Sequence, residues 1–196
     1  MRIFAKLIFL CTATASLAFT GCQQYVKTPQ TPVQQLDPSA DASKNFNLQG
    51  KIGVKTPKQS GSAFYTWEQN QDNFDIQLTG ILGIGKTMIE GKPGQVTLNS
   101  SKTGEITAAT PEELLERATG WSAPITYIID WVQAKPATNS AQTQKDEKQR
   151  ISQINEAGWM VDLSYNNDAT LPNKLILKQQ LENGEENRIT MVIQNR

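Results

Sequence analysis

Gly80-Ile-Leu-Gly-Ile-Gly-Lys-Thr87 is the stretch on which the reading of this chain turns. It fits G-x-x-x-x-G-K-[ST], the pattern of a phosphate-cradling loop. It can equally be a glycine-jointed connection that carries Ile81, Leu82 and Ile84 between two strands. A phosphate loop needs a helix directly after it, because the helix N-terminus and the loop amides hold the anion. Here only three residues separate Thr87 from Gly91, and Pro93-Gly94 follows. No helix fits, and no parallel β-α-β unit surrounds the stretch. The second reading therefore stands. Large apolar side chains set among glycines at a turn mark an interaction surface.

Working outward, the segments on either side have period two. Phe74, Ile76 and Leu78 alternate with Asp75 and Gln77. Earlier, Phe46, Leu48, Ile52 and Val54 share one phase, with Gly50 on the apolar face, as in a half-buried strand with a bend or close approach. Ser62–Glu68 is aromatic and β-branched. After Thr87, short strands recur up to Ala108. The period then changes. Thr110-Pro-Glu-Glu113 is a capping box with proline at the first helical position, and Gly120 ends that helix. Ile125, Ile128, Ile129 and Val132 define a second amphipathic helix, which Pro136 stops. Residues 137–149 are polar without periodicity and read as a loop. Strands resume at Arg150–Glu156, Gly158–Tyr165, Lys174–Gln180 and Arg188–Gln194. The expected fold is mainly β (α+β): about ten antiparallel strands in one long curved sheet, with a late pair of helices over residues 111–134 covering one face and, where the fit is loose, an apolar cavity beneath.

The N-terminus is of another kind. Arg2 and Lys6 precede an apolar run from Leu7 to Phe19, and Thr20-Gly21 precedes Cys22. This is a secretory signal, too short for a spanning helix. It resembles a lipoprotein signal, with residues 1–21 removed and Cys22 lipidated. Gln23 in place of an aspartate implies transport to the outer membrane. Residues 22–44, with Pro29, Pro32 and Pro38, form a flexible tether, and residues 45–196 the folded domain. Cys11 leaves with the signal, so no disulfide is expected.

Composition narrows the chemistry. The chain has 196 residues, 38% hydrophobic, with 19 basic and 19 acidic side chains. Zero net charge gives no nucleic-acid signature. The absence of histidine removes the commonest general base and metal ligand. No catalytic residue, metal or cofactor is expected.

Several stretches together resemble the outer-membrane lipoprotein LolB family: Phe46-x-Leu-x-Gly-Lys-Ile-x-Val54, Gly61–Gln69 with Phe64 and Trp67, Phe74-x-Ile-x-Leu78 with the following Ile81-Leu82-Gly83, Pro124 with Trp131 and Pro136, Gly158-Trp-x-Val161, Leu171-Pro172, and Ile189–Ile193. The resemblance implies an open antiparallel β half-barrel with an α-helical lid over an apolar cavity that holds acyl chains, in a receptor anchored on the periplasmic face of the outer membrane. Such a receptor takes acylated lipoprotein passengers from a LolA-like periplasmic carrier and inserts them into the outer-membrane lipid. A monomer is expected. The resemblance also implies that a leucine matching Leu82 is needed for delivery; Ile81 and Ile84 are candidates to share its role. Candidate acyl-chain residues are Leu48, Ile52, Phe64, Trp67, Phe74, Ile76 and Leu78, with Ile125, Ile128, Ile129 and Trp131 from the lid. The alternative is a non-catalytic envelope assembly or scaffolding lipoprotein.

Overall fold

The structure, a computed structural model, describes residues 44–80, 85–101 and 103–196. Six strands come first: β1 (Asn45–Lys55), β2 (Ser60–Asn70), β3 (Asn73–Thr79), β4 (Lys86–Lys92), β5 (Gln95–Ser100) and β6 (Gly104–Ala108). Helices α1 (Pro111–Thr119) and α2 (Ile125–Trp131) follow. Five more strands complete the chain: β7 (Gln142–Lys145), β8 (Ile151–Glu156), β9 (Trp159–Ser164), β10 (Lys174–Gln180) and β11 (Glu186–Asn195). Lys86 and Thr87, which would open the helix of a phosphate loop, open β4 instead.

All eleven strands form one antiparallel sheet in the order β6-β5-β4-β3-β2-β1-β11-β10-β9-β8-β7. Two meanders, β1–β6 and β7–β11, are joined side by side where β1 pairs with β11. The sheet is not closed, since β6 and β7 are its two edges. This topology dictates where the helices go. The connection from β6 to β7 must travel from one edge to the other, so it crosses a face of the sheet, and α1 and α2 are that crossing. The result is an open half-barrel with a helical lid.

Local sequence explains each element. In β2, Ala63, Tyr65, Trp67 and Gln69 are buried while Ser62, Phe64, Thr66 and Glu68 are exposed, the period of a strand with one face on a core. Gly50 is the close approach that its position suggests. A Cβ there would lie 1.8 Å from the Val192 carbonyl oxygen, beside a register shift between Gln49 and Gly50. In β4, Gly91 lies opposite Phe74, whose ring occupies the space a Cβ would take, at 2.1 Å.

α1 begins as its capping box requires. Thr110 Oγ1 accepts from the Glu113 amide, and Glu113 reaches back to the Ala109 amide at 2.8 Å. Gly120 ends it in the left-handed region, φ 75°. α2 is shorter than its apolar periodicity suggests. It stops at Trp131, and Ala134 turns out with φ 56°; one residue on, Lys135 precedes Pro136 and is held away from the α region. Its N-cap is Pro124, which offers no side-chain acceptor. Glu112 of α1 supplies one: its Oε1 accepts from both the amide and the hydroxyl of Thr126, each at 2.8 Å.

Residues 137–149 differ from the loop expected of them. They contain β7, whose four residues are all exposed. An edge strand that covers nothing needs no apolar alternation, so its sequence carries no period. Its backbone ladder to β8 defines it. Beyond it, Asp146 accepts from Arg150 through an ion pair of 2.7 Å.

Candidate functional site

The inner face of the sheet carries two packed cores of very different size. The larger joins Leu48 and Trp67 to Ile128, Trp131 and Val132 of the lid and to β8–β11, including Ile154, Val161, Leu175 and Leu177. The smaller holds Val96, Ala108 and Leu114 of α1. Between them runs a strip of half-buried aliphatic side chains. Ile76, Ile89, Leu98 and Ile106 lie opposite one another on β3, β4, β5 and β6, in line with buried Trp67 of β2. Phe74 packs against both cores. Leu78 extends the strip beside Tyr65. Half-buried Leu115, Ile125 and Ile129 come from the helices.

The sequence-derived candidates separate accordingly. Leu48, Trp67, Ile128 and Trp131 are fully packed in the larger core. Ile52, Phe74, Ile76, Leu78, Ile125 and Ile129 are partly open. Phe64 does not belong with them. It is 60% exposed and three residues from Trp67, which on a strand is the opposite face; there its ring meets the Lys51 ammonium at 5.9 Å. Ile89, Leu98 and Ile106 were not among the candidates, although Leu98 and Ile106 each sit in a short alternating segment. Cys22, Ile81, Leu82 and Ile84 lie outside the described residues. Two further clefts, about 550 and 420 Å³, have mixed walls: one includes Glu68, Asp75 and Glu90 with Phe74, the other Asn155, Glu156 and Lys178 with Trp159.

The lid is fastened at one end by polar contacts that hydropathy does not reveal. Trp131 is completely buried, and its Nε1 donates to Glu156 Oε2 at 2.8 Å. The same carboxylate accepts from the amides of Ala137, at 3.0 Å, and Thr138. Burial by itself would raise the pKa of Glu156, but these hydrogen bonds outweigh it and hold the carboxyl below its ordinary range. Arg196 donates to the Val132 carbonyl at 2.6 Å and to Pro172 at 2.8 Å. A cation at the C-terminal end of α2 also complements the helix dipole. Tyr65 lies nearby. Burial pushes its hydroxyl up to about 12, against an opposing effect of Arg196, so it stays protonated and faces the Val192 carbonyl.

Comparison with known proteins rests on the same region. A family model described as outer membrane lipoprotein LolB matches residues 44–195, which is the whole sheet and its lid. The chain belongs to that family. Relatives named outer-membrane lipoprotein LolB agree along its length. One from Pseudomonas savastanoi pv. phaseolicola is 33% identical over 199 residues, covering 98% of this chain and 93% of its own. One from Stutzerimonas stutzeri is 36% identical over 154 residues, covering 76% and 72%. A third, from Pseudomonas fluorescens, is 37% identical over 152 residues with the same coverage. The family places this protein at the outer membrane as a lipoprotein.

Proposed function

We propose that this protein is a receptor that accepts acylated lipoproteins from a LolA-like periplasmic carrier and inserts them into the outer membrane. The observation that carries the reading is the half-buried strip Ile76-Ile89-Leu98-Ile106 between the two cores. Apolar side chains that a lid only partly covers can take up hydrocarbon without displacing a packed core. Each CH₂ removed from water contributes about 0.8 kcal/mol. A passenger's chains therefore bind such a strip far better than they tolerate the aqueous periplasm. Direction follows from differential affinity: stronger than the carrier's, weaker than the bilayer's. No covalent step and no nucleotide are required.

In this reading residues 1–21 are the removed signal, Cys22 bears the lipid, and residues 22–44 tether the domain. Leu82, with Ile81 and Ile84 beside it, touches the bilayer so that the chains leave. The protein works as a monomer, because one cavity suffices for one passenger.

The test is a two-stage transfer. Carrier-bound lipoprotein is mixed with this protein and passenger movement is followed by pull-down; vesicles are then added and insertion is followed by flotation. The parent accepts and inserts. Leu82→Glu accepts but fails to insert. A variant that inserts as well as the parent refutes the role of Leu82. No uptake from a carrier shown competent with another receptor refutes the receptor reading and favours a scaffolding lipoprotein.

A further inference from the structure

The outer face of the sheet, away from both cores, has its own order. Pairing places Lys86, Thr79, Phe64, Lys51, Val192 and Lys174 in one row across β4, β3, β2, β1, β11 and β10. Phe64 is the most exposed large apolar side chain of the row. Among the described residues, the ion pairs involve none of Lys51, Lys86 and Lys174. Four residues along the strands, on the same face, a second row runs Asn47, Glu68, Asp75 and Glu90. Charge is thus uneven along the strand direction: cations around an exposed ring at one end, and at the other a row of carboxylates with Lys92 beyond Glu90. Neutral overall composition hides this.

We propose that the Lys51–Phe64–Lys86–Lys174 row is a docking surface for the anionic headgroups of the membrane to which the protein belongs. Lysines supply charge complementary to anionic lipid. Phe64 supplies an exposed apolar ring that buries at the boundary between headgroups and acyl chains. The carboxylate row sets the orientation by repulsion from the same surface. The reach is available. Between Cys22 and Lys44 lie 21 residues, which extend up to about 70 Å. From Asn45 to Lys51 along β1 is about 20 Å. An anchor at Cys22 therefore allows the sheet to lie with this row on the bilayer. The inference rests on the outer-membrane location and the anchor, not on passenger transfer.

The test uses the full lipidated protein in vesicles, with a fluorescent label on Ser62→Cys, beside Phe64 on the outer face, or on Asn73→Cys at the acidic end. Quenching by nitroxide-labelled lipid is compared in phosphatidylcholine alone and in phosphatidylcholine mixed with phosphatidylglycerol. The docked population at Ser62 rises with anionic lipid and collapses at about 1 M salt, where screening acts within about 3 Å. Lys51→Gln, Lys86→Gln and Lys174→Gln each lower the docked-to-undocked ratio about fivefold, while circular dichroism and the melting curve stay those of the parent. Equal quenching with and without anionic lipid overturns the proposal, as does quenching at Asn73 that matches Ser62. Passenger transfer measured on the same samples separates this outcome from failure of the receptor reading.

Discussion

Replacing Glu156 by glutamine tests whether one buried carboxylate holds the lid to the sheet. Glu156 is 5% exposed and takes three N–H donors, from Trp131, Ala137 and Thr138. A glutamine of the same shape has one acceptor oxygen. If that oxygen keeps Trp131 and Ala137, its NH₂ confronts the Thr138 amide, donor against donor. Hydrogen bonds to charged groups contribute about 1.5–3 kcal/mol, roughly twice neutral ones. Losing one and weakening two gives a destabilisation of about 2–4 kcal/mol, or a melting temperature lower by roughly 4–16 °C for a domain this size. The pH dependence has a definite sign. Because the folded carboxyl titrates below its ordinary range, its contribution is fully present above the unfolded value of about 4.3 and disappears as the pH falls through the folded value. Urea unfolding of parent and Glu156→Gln between neutral pH and acid is the assay. The gap between them should be widest near neutrality and narrow in acid. Identical curves at neutral pH, or a gap that widens on acidification, would refute this account of how the lid is held.

Two other substitutions address the sheet and the strip. Gly50→Ala should cost about 1–3 kcal/mol, read by urea unfolding, because its Cβ would fall 1.8 Å from the Val192 oxygen at the junction of the two meanders. Ile89→Asn should leave the fold intact yet weaken binding of a fluorescent fatty-acid probe several-fold, since it sets a polar group at the centre of the half-buried row; undiminished probe binding would remove the strip from the proposed function.

What was legible in the sequence follows from which interactions write themselves as periodicity. Burial alternates along β1, β2, β10 and β11 because one face of each packs on a core, and in β1 the residue types alternate with it; the Thr110 cap is local. β7 is silent because an exposed edge strand is defined by its partner's backbone. Phe64 was misplaced because residue type was weighed above phase; Tyr65 and Trp67 already fix the buried parity. The phase of Glu156 was also available, since it follows Ile154 on the buried side of β8. What phase alone does not reveal is that Trp131, from a helix 25 residues earlier, brings the donor that makes a buried carboxylate tolerable.

The lid's fastening and the strip's openness have a common origin in chain order. The crossover enters from β6 and leaves toward β7, so α1 stays near the β6 edge and α2 ends beneath β8. The far end gains the large core, Trp131 on Glu156 and Arg196 on Val132. The near end has the smaller core of Leu114 on Val96 and Ala108, with half-buried Phe74, Ile89, Leu98 and Ile106 against it, and Arg117 reaching the Thr107 carbonyl at the sheet edge. Filling the strip with larger lid residues would close this end as firmly as the other. The sequence instead leaves Ile89, Leu98 and Ile106 partly uncovered beside α1, which on the proposed function is where hydrocarbon enters with the least packing to displace.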